Sequence, residues 1–264
     1  MISGKQTVFI TAACTPCGRE RAGWLIDSLC AFGGSLSQNP VWLFEADPRA
    51  EGHHLAQDGL TVIPIQVPEA IKPALFSEKV FACAQAEAMA GPQVGSMVWI
   101  DPGCLVVNPP VLYELGADFD AAFRPVHIQN VGLRVDEPLD AFWQGIYAEV
   151  GMPDVSTTVQ SFVDQRVLRA YYNSHAFAVN PALGILGRWL EHFQRLVCNA
   201  SFQQAACQDD AHQIFLFQAL LSALVTKEVN PARLRILPPK YNYPFNLQER
   251  VPAEHRARAL NDAV

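Results

Sequence analysis

The residue best placed to do chemistry is Asp101. It closes the apolar run Ser96-Met97-Val98-Trp99-Ile100, and Pro102-Gly103 follow directly. Proline cannot donate to a strand ladder and glycine relaxes the backbone, so a strand should stop at Asp101. A carboxylate at the carboxyl end of a buried strand stands where open α/β sheets hold ligands, and also where an Asp simply caps a turn. In an open crevice it should contribute little to folding. Cys14-x-x-Cys17 is the sharpest short motif. It lies between an apolar strand and a helix, a context that lowers a thiol pKa for disulfide exchange. A redox domain of that kind should add a proline-bearing strand within a compact unit. Here a long strand–helix alternation continues instead, so the pair is expected to be structural. No second Cys-x-x-Cys exists, which argues against a four-thiolate zinc site. His53-His54, near Glu51 and Asp58, has metal-ligand chemistry in a polar, loop-like stretch. Asp209-Asp210-x-His212 opens an apolar helix, where acids suit the positive end of the macrodipole. Arg124, His127 and Asn130 follow an apolar run in a proline-interrupted stretch, and Tyr241-Asn242-Tyr243-Pro244-Phe245 is a second aromatic-polar loop. Several such loops on one sheet edge would line a pocket.

Other chemistries lose ground by absence. There is no G-x-G-x-x-G, no Walker-type phosphate loop and no G-x-S-x-G elbow, which counts against dinucleotide oxidoreductases, nucleoside triphosphatases and serine hydrolases. A net charge of -7 argues against nucleic-acid partners, which need clustered Lys and Arg. With 50% apolar and 17% charged residues the composition is that of a folded globular protein. No apolar run reaches membrane-spanning length, and the N-terminus lacks a basic flank before an apolar core. Seven irregularly spaced cysteines suggest reduced thiols and a cytoplasmic protein.

The elements that must position these residues follow from periodicity. Thr7 to Ala12, Val41 to Phe44 and Thr61 to Ile65 read as buried strands. Ala22, Leu25, Ile26, Leu29 and Phe32 recur at helical spacing and stop at Gly33-Gly34. An Ala-rich helix from Phe76 to Ala90 carries Lys79 into the strand that ends at Asp101. This alternation implies a mostly parallel sheet with helical crossovers. Later come a strand over Ala121 to Val126 and a helical stripe from Leu139 to Val150. Gly151 to Gln160 reads as a turn-rich linker. A strand over Ala176 to Val179 is introduced by Tyr171 to His175. Then come a helix from Leu183 to Val197, a buried helix from Ile214 to Val225 and a last strand over Leu234 to Leu237. Trp143, Trp189 and Phe193 sit at core spacing. The tail from Glu249 reads as charged and loosely held.

Ser28 to Gly34, Val98 to Gly103, Tyr172 to Pro181, Gln213 to Leu220 and Leu237 to Pro244 occur in an order and spacing that resembles glycosyltransferases of the GT-A type, the nucleotide-diphospho-sugar transferase fold. The resemblance runs from about Thr7 to Phe245. Val98-Trp99-Ile100-Asp101-Pro102-Gly103 is similar to the strand ending in Asp-x-Asp. Tyr172 onward is similar to the Asn-Ser/Ala-Gly strand of glycogenin-like and galactosyltransferase-like members. No single stretch is specific; the ordered set is. It implies an α/β fold with a central mixed, mainly parallel sheet flanked by helices. The chain would be one domain over 1–264, with a nucleotide-binding half at 1–110, a sugar and acceptor half at 111–248 and a tail at 249–264.

The activity implied is transfer of a sugar from a nucleotide-diphospho-sugar to an acceptor. Asp101, His175 and Gln218 would be catalytic. Thr11, Lys79, Arg124, His127, Asn130, Asn173, Tyr241 and Asn242 would contact substrate. Lys79 or Arg124 would neutralise diphosphate charge, and Asn173, His175 and Gln218 would orient the sugar. The resemblance also implies a divalent cation, Mn²⁺ or Mg²⁺, on Asp101 and a second acid. Gly103 stands in that acid's place and removes one ligand; His175 stands where glycine is usual. Two other readings stay open: a non-catalytic nucleotide-sugar-binding or scaffold protein on the same fold, and a thiol-disulfide oxidoreductase using Cys14 and Cys17.

Overall fold

The computed structural model describes residues 5–46, 59–153 and 157–264. His53, His54, Glu51 and Asp58 lie outside the described residues. In chain order the elements are β1 (Gln6–Ala13), α1 (Pro16–Phe32), β2 (Val41–Glu45), β3 (Leu60–Pro64), α2 (Ser77–Met89), β4 (Val94–Ile100), β5 (Ala121–Pro125), α3 (Ala141–Val150), β6 (Thr158–Gln160), β7 (Val167–Arg169), β8 (Tyr172–Val179), α4 (Ile185–Cys198), α5 (Ala200–Ala206), α6 (Asp210–Glu228) and β9 (Leu234–Ile236). The described strands form a seven-stranded sheet in the order β3-β2-β1-β4-β8-β5-β9, with β6 and β7 as a separate hairpin. β1 is parallel to β2 and β4, β2 to β3, and β5 to β9. β8 runs antiparallel to both of its neighbours, β4 and β5.

Strand periodicity sorts the core into two faces. Ile10, Met97, Trp99, Phe177 and Val179 pack under α2, α4 and α6. Phe9, Val98, Ile100, Ala176 and Ala178 pack under α1. The result is a helix–sheet–helix sandwich with β4 central. Trp143 and Trp189 are buried, and each indole N–H is satisfied, by Val131 O at 2.6 Å and Phe217 O at 2.9 Å. Truncating either to alanine would cost about 3–5 kcal/mol.

Local signals explain the helix ends. Thr15 caps α1 by accepting from Gly18 N at 3.0 Å, with Pro16 in the first turn. At its other end a Cβ on Gly33 would sit 2.3 Å from Leu29 O, so only glycine fits. Asp209 caps α6 by accepting from His212 N at 2.9 Å, the structural role its position suggested.

Several expectations change. Phe32 is 53% exposed rather than part of the α1 stripe, because it falls on the last residue of the helix. β6 occupies the end of the stretch read as a linker; its three residues are too short to show a period. β8 begins at Tyr172, so Asn173 and His175 lie on a strand rather than in the loop before it. The tail is not loosely held. Val251, Ala257 and Ala263 are buried against Phe162 and Tyr243, Asn108 Nδ2 donates to Ala263 O at 2.7 Å, and Val264 N donates to Lys240 O at 2.8 Å. Its apolar residues are spaced among charges without a period, so no pattern announced the packing. Among the described residues no helix is long and apolar enough to cross a membrane.

Candidate functional site at the carboxyl end of β4

β4 ends at Ile100 and Asp101 follows, held by two backbone bonds: its N–H donates to His175 O at 2.7 Å, and its carbonyl accepts from Cys104 N at 2.9 Å. The alternation that turns Ile100 toward α1 turns Asp101 toward α2. There Lys79 Nζ meets Asp101 Oδ2 at 2.7 Å. Lys79 sits in the first turn of α2 and is buried, with its ammonium 5.1 Å from the ring centres of both Trp99 and Phe217. Lys79 is enclosed by a carboxylate and two aromatic faces, so its charge is met by Asp101 rather than turned to a diphosphate. Asp101 in turn is the counter-charge of a buried ammonium, so it does contribute to folding. Only Oδ2 is engaged by Lys79; Oδ1 remains an acceptor.

The second group comes from a break in sheet register. β5 advances from Ala122 to Arg124 while β8 runs from Ala178 back to Asn173. The surplus residues of β8 bulge, and such a bulge re-aims side chains at a sheet edge. Asn173 Oδ1 accepts from His175 N at 2.7 Å and from Asn242 Nδ2 at 3.0 Å, and lies 3.0 Å from His175 Nδ1. A backbone N–H can only donate, so the Asn173 atom that faces it is the oxygen. Nδ1 of His175 must then carry the hydrogen, which leaves Nε2 as the lone-pair atom. Desolvation lowers the His175 pKa; Asp101 opposes the shift and Lys79 adds to it. That direction favours the neutral ring, in which Nε2 is an acceptor. His127 lies beside it, ring centres 6.4 Å apart. Burial, then Arg124 and His175, push its pKa down to about 2.

Behind this pair Arg124 Nη1 donates to Tyr241 O at 3.1 Å and Asn242 O at 2.6 Å, with its guanidinium 4.5 Å from the Phe162 ring centre. Burial lowers its pKa to about 9. Those bonds fix Asn242 in the left-handed region at φ 50°, which Asn tolerates better than most residues. Arg124 thus positions the 241–242 turn from inside the protein. Gln218 is buried, and its Oε1 accepts from Ser174 N at 3.1 Å and Ser174 Oγ at 3.0 Å, which clasps α6 to β8. Tyr241 is buried and accepts from Leu112 N at 2.8 Å through its hydroxyl. Thr11 is buried within β1, and Asn130 is exposed in a turn at φ 47°.

A cavity of about 530 Å³ opens beside Asp101, lined by His127, His175 and Asn242 with the 103–107 loop, the 243–247 loop and the tail residues Leu260, Ala263 and Val264. Of the residues singled out in the sequence, Asp101, Lys79, His175, Asn173, Asn242 and His127 come together at this edge. Cys104 and Leu105, also on the cavity wall, were not singled out, because an apolar loop carries no chemical signal of its own.

The described residues around Asp101 do not fit a divalent cation. Asp101 offers one carboxylate, already bound to an ammonium. Among the described residues no cluster of three or more His, Cys, Asp or Glu is arranged to hold a metal. The thiol pair also lacks the chemistry of an exchange site: burial, then Glu78, push the Cys14 pKa up to about 11, away from the thiolate such chemistry needs.

No known family profile matches this sequence. No curated protein matches it closely enough to count as a relative. Among solved structures, the chain is similar to the galactosyltransferase LgtC in complex with donor and acceptor sugar analogues, with 14% identity, coverage of 97% of this chain and 84% of that one, and a TM-score of 0.47. It is also similar to apo mouse xyloside xylosyltransferase 1, with 13% identity, 90% and 86% coverage, and a TM-score of 0.46.

Proposed function

We propose that this chain binds a nucleotide-diphospho-sugar at the carboxyl edge of β1 and β4 and moves its sugar to an acceptor in the adjoining cavity. What supports the reading is convergence. The stretches that carry the sequence resemblance are far apart in the chain, yet Asp101 N meets His175 O at 2.7 Å and Asn242 Nδ2 meets Asn173 Oδ1 at 3.0 Å. In this reading Asp101 accepts hydroxyl hydrogens of the donor through Oδ1 while Lys79 holds Oδ2. His175, held in one tautomer by Asn173, orients a hydroxyl through Nε2. Positioning and a fixed polar environment carry the rate, and no strong nucleophile is required.

Thermal unfolding with UDP, GDP, ADP, CMP and their sugars tests it. At a hundredfold excess over Kd a ligand adds about 2.7 kcal/mol, which raises the midpoint of a domain of this size by roughly 5–10 °C. One nucleotide base should produce that shift in EDTA as well as in Mn²⁺. Absence of a shift at millimolar concentration for every compound would reject the reading. A second reading, binding without transfer, is favoured by the ion pair: Lys79 neutralises Asp101, and Gly103 adds no acid. It predicts the same shift with no release of free nucleotide from the bound sugar donor during prolonged incubation.

A further inference from the structure

The cavity beside Asp101 has a chemistry unlike that of a diphosphate site. No Lys, Arg, Asp or Glu side chain is among the described residues that line it. One hydrogen-bonded polar patch, His175 and Asn242 joined through Asn173 with His127 alongside, faces it, and Tyr113, Tyr243 and Asn246 add polar groups elsewhere on the wall. Much of the remaining wall is apolar: Leu105, Val106, Phe245, Leu247 and Leu260, with the Cys104 thiol. Burial holds that thiol at about 12, so it carries no charge. Leu105, Phe245 and Leu260 are 55%, 47% and 62% exposed. Three large apolar side chains around one opening in solvent mark a surface built to be covered. Charged groups lose hydration in such a place and find no counter-ion, whereas alkyl or aryl groups gain by leaving water. The volume of about 530 Å³ lies within the range of roughly 300–1,000 Å³ typical of small-molecule sites.

We propose that this cavity takes an uncharged acceptor that carries a hydroxyl on an apolar body, with the hydroxyl at His175 Nε2 and the body against Leu105, Phe245 and Leu260. The acceptor role rests on the transfer reading above; the ligand chemistry does not. The probe is octyl β-glucoside below its micelle concentration, compared by calorimetry with glucose and with octyl phosphate. Octyl β-glucoside should bind one to one and at least tenfold more tightly than either. Leu105→Asp sits in an exposed loop and puts a charge on the wall; it should weaken octyl β-glucoside at least tenfold while leaving the melting midpoint within a few degrees. Phe245→Ala should weaken it as well. Equal binding of octyl phosphate would overturn the uncharged class, equal binding of glucose would overturn the apolar body, and binding unaffected by both variants would overturn the location. No binding of octyl β-glucoside at millimolar concentration would overturn the whole proposal. Nucleotide binding is measured separately. If every nucleotide fails while octyl β-glucoside binds, the donor reading falls and the cavity's chemistry stands; the reverse result removes the acceptor class and keeps the donor.

Discussion

Replacing Asp101 by alanine strands the Lys79 ammonium inside the protein. Side-chain exposure is 5% for Lys79 and 18% for Asp101, and Nζ and Oδ2 are 2.7 Å apart. Removing one member of a buried pair costs about 3–5 kcal/mol, because the remaining charge has lost its hydration and gained nothing. Two features hold the loss to the lower end. The Trp99 and Phe217 faces still attract the ammonium at 5.1 Å each, and the part-exposed Asp101 site can admit water in place of the carboxylate. A cost of about 3 kcal/mol corresponds to roughly 6–12 °C in the midpoint of a domain of this size. Urea and thermal unfolding of Asp101→Ala, Lys79→Met and the double variant Asp101→Leu with Lys79→Met decide the matter. The first should lose roughly that much, and the double variant should recover most of it, since an apolar pair of similar volume avoids the desolvation of two ions. A midpoint for Asp101→Ala within about 1 °C of the parent would refute the pairing. A double variant no better than the sum of Asp101→Leu and Lys79→Met, each measured singly, would refute the coupling.

His127 should make stability fall in mild acid. Its folded pKa is held far below the ordinary histidine value, so between the two values the unfolded chain binds more protons, and stability drops as pH falls below about 6.5, at a slope approaching 1.4 kcal/mol per pH unit. His127→Phe should flatten that part of the stability–pH curve, read by urea midpoints from pH 7 to 4.5. Gly103→Asp should fold normally, since a Cβ there meets no atom within 4 Å. It should show little Mn²⁺ stabilisation alone, and a clear one once Lys79→Met removes the competing ammonium; a strong Mn²⁺ effect in the single variant would contradict the ion-pair account. Gln218→Ala should cost about 1–3 kcal/mol, because the buried Ser174 donors lose their acceptor, and should leave nucleotide affinity unchanged, as ligand titration would show. Replacing Cys14 and Cys17 together by Ser should move stability by less than about 1 kcal/mol and abolish no activity.

The sequence by itself determined the kind and order of the elements. Helical spacing in α1 and α4, the long apolar run of α6 and the short apolar runs of β1, β2 and β4 are local patterns, and Thr15, Gly33 and Asp209 are local stop and start signals whose hydrogen bonds close within a few residues. Asp101 was legible as a strand-end acid because Pro102 and Gly103 forbid the strand to continue. What that carboxylate meets was not legible. Lys79 reaches it from a helix 22 residues earlier, and only the packing of α2 across β4 brings the two to 2.7 Å. Arg124 binds the 241–242 backbone from 117 and 118 residues away, so its isolated position after an apolar run looked like a free cation. Asn173 and His175 were readable as a polar pair before an apolar run, but their shared hydrogen and the exposed Nε2 come from the register break between β5 and β8. Gln218 lies in a helix with apolar residues all round, so nothing in its neighbours told a clasp from a ligand contact. Periodicity reports which face a residue takes along its own element; whether a polar group on that face meets substrate, solvent or a partner depends on how elements distant in sequence approach, and that is set by the summed packing of the whole core.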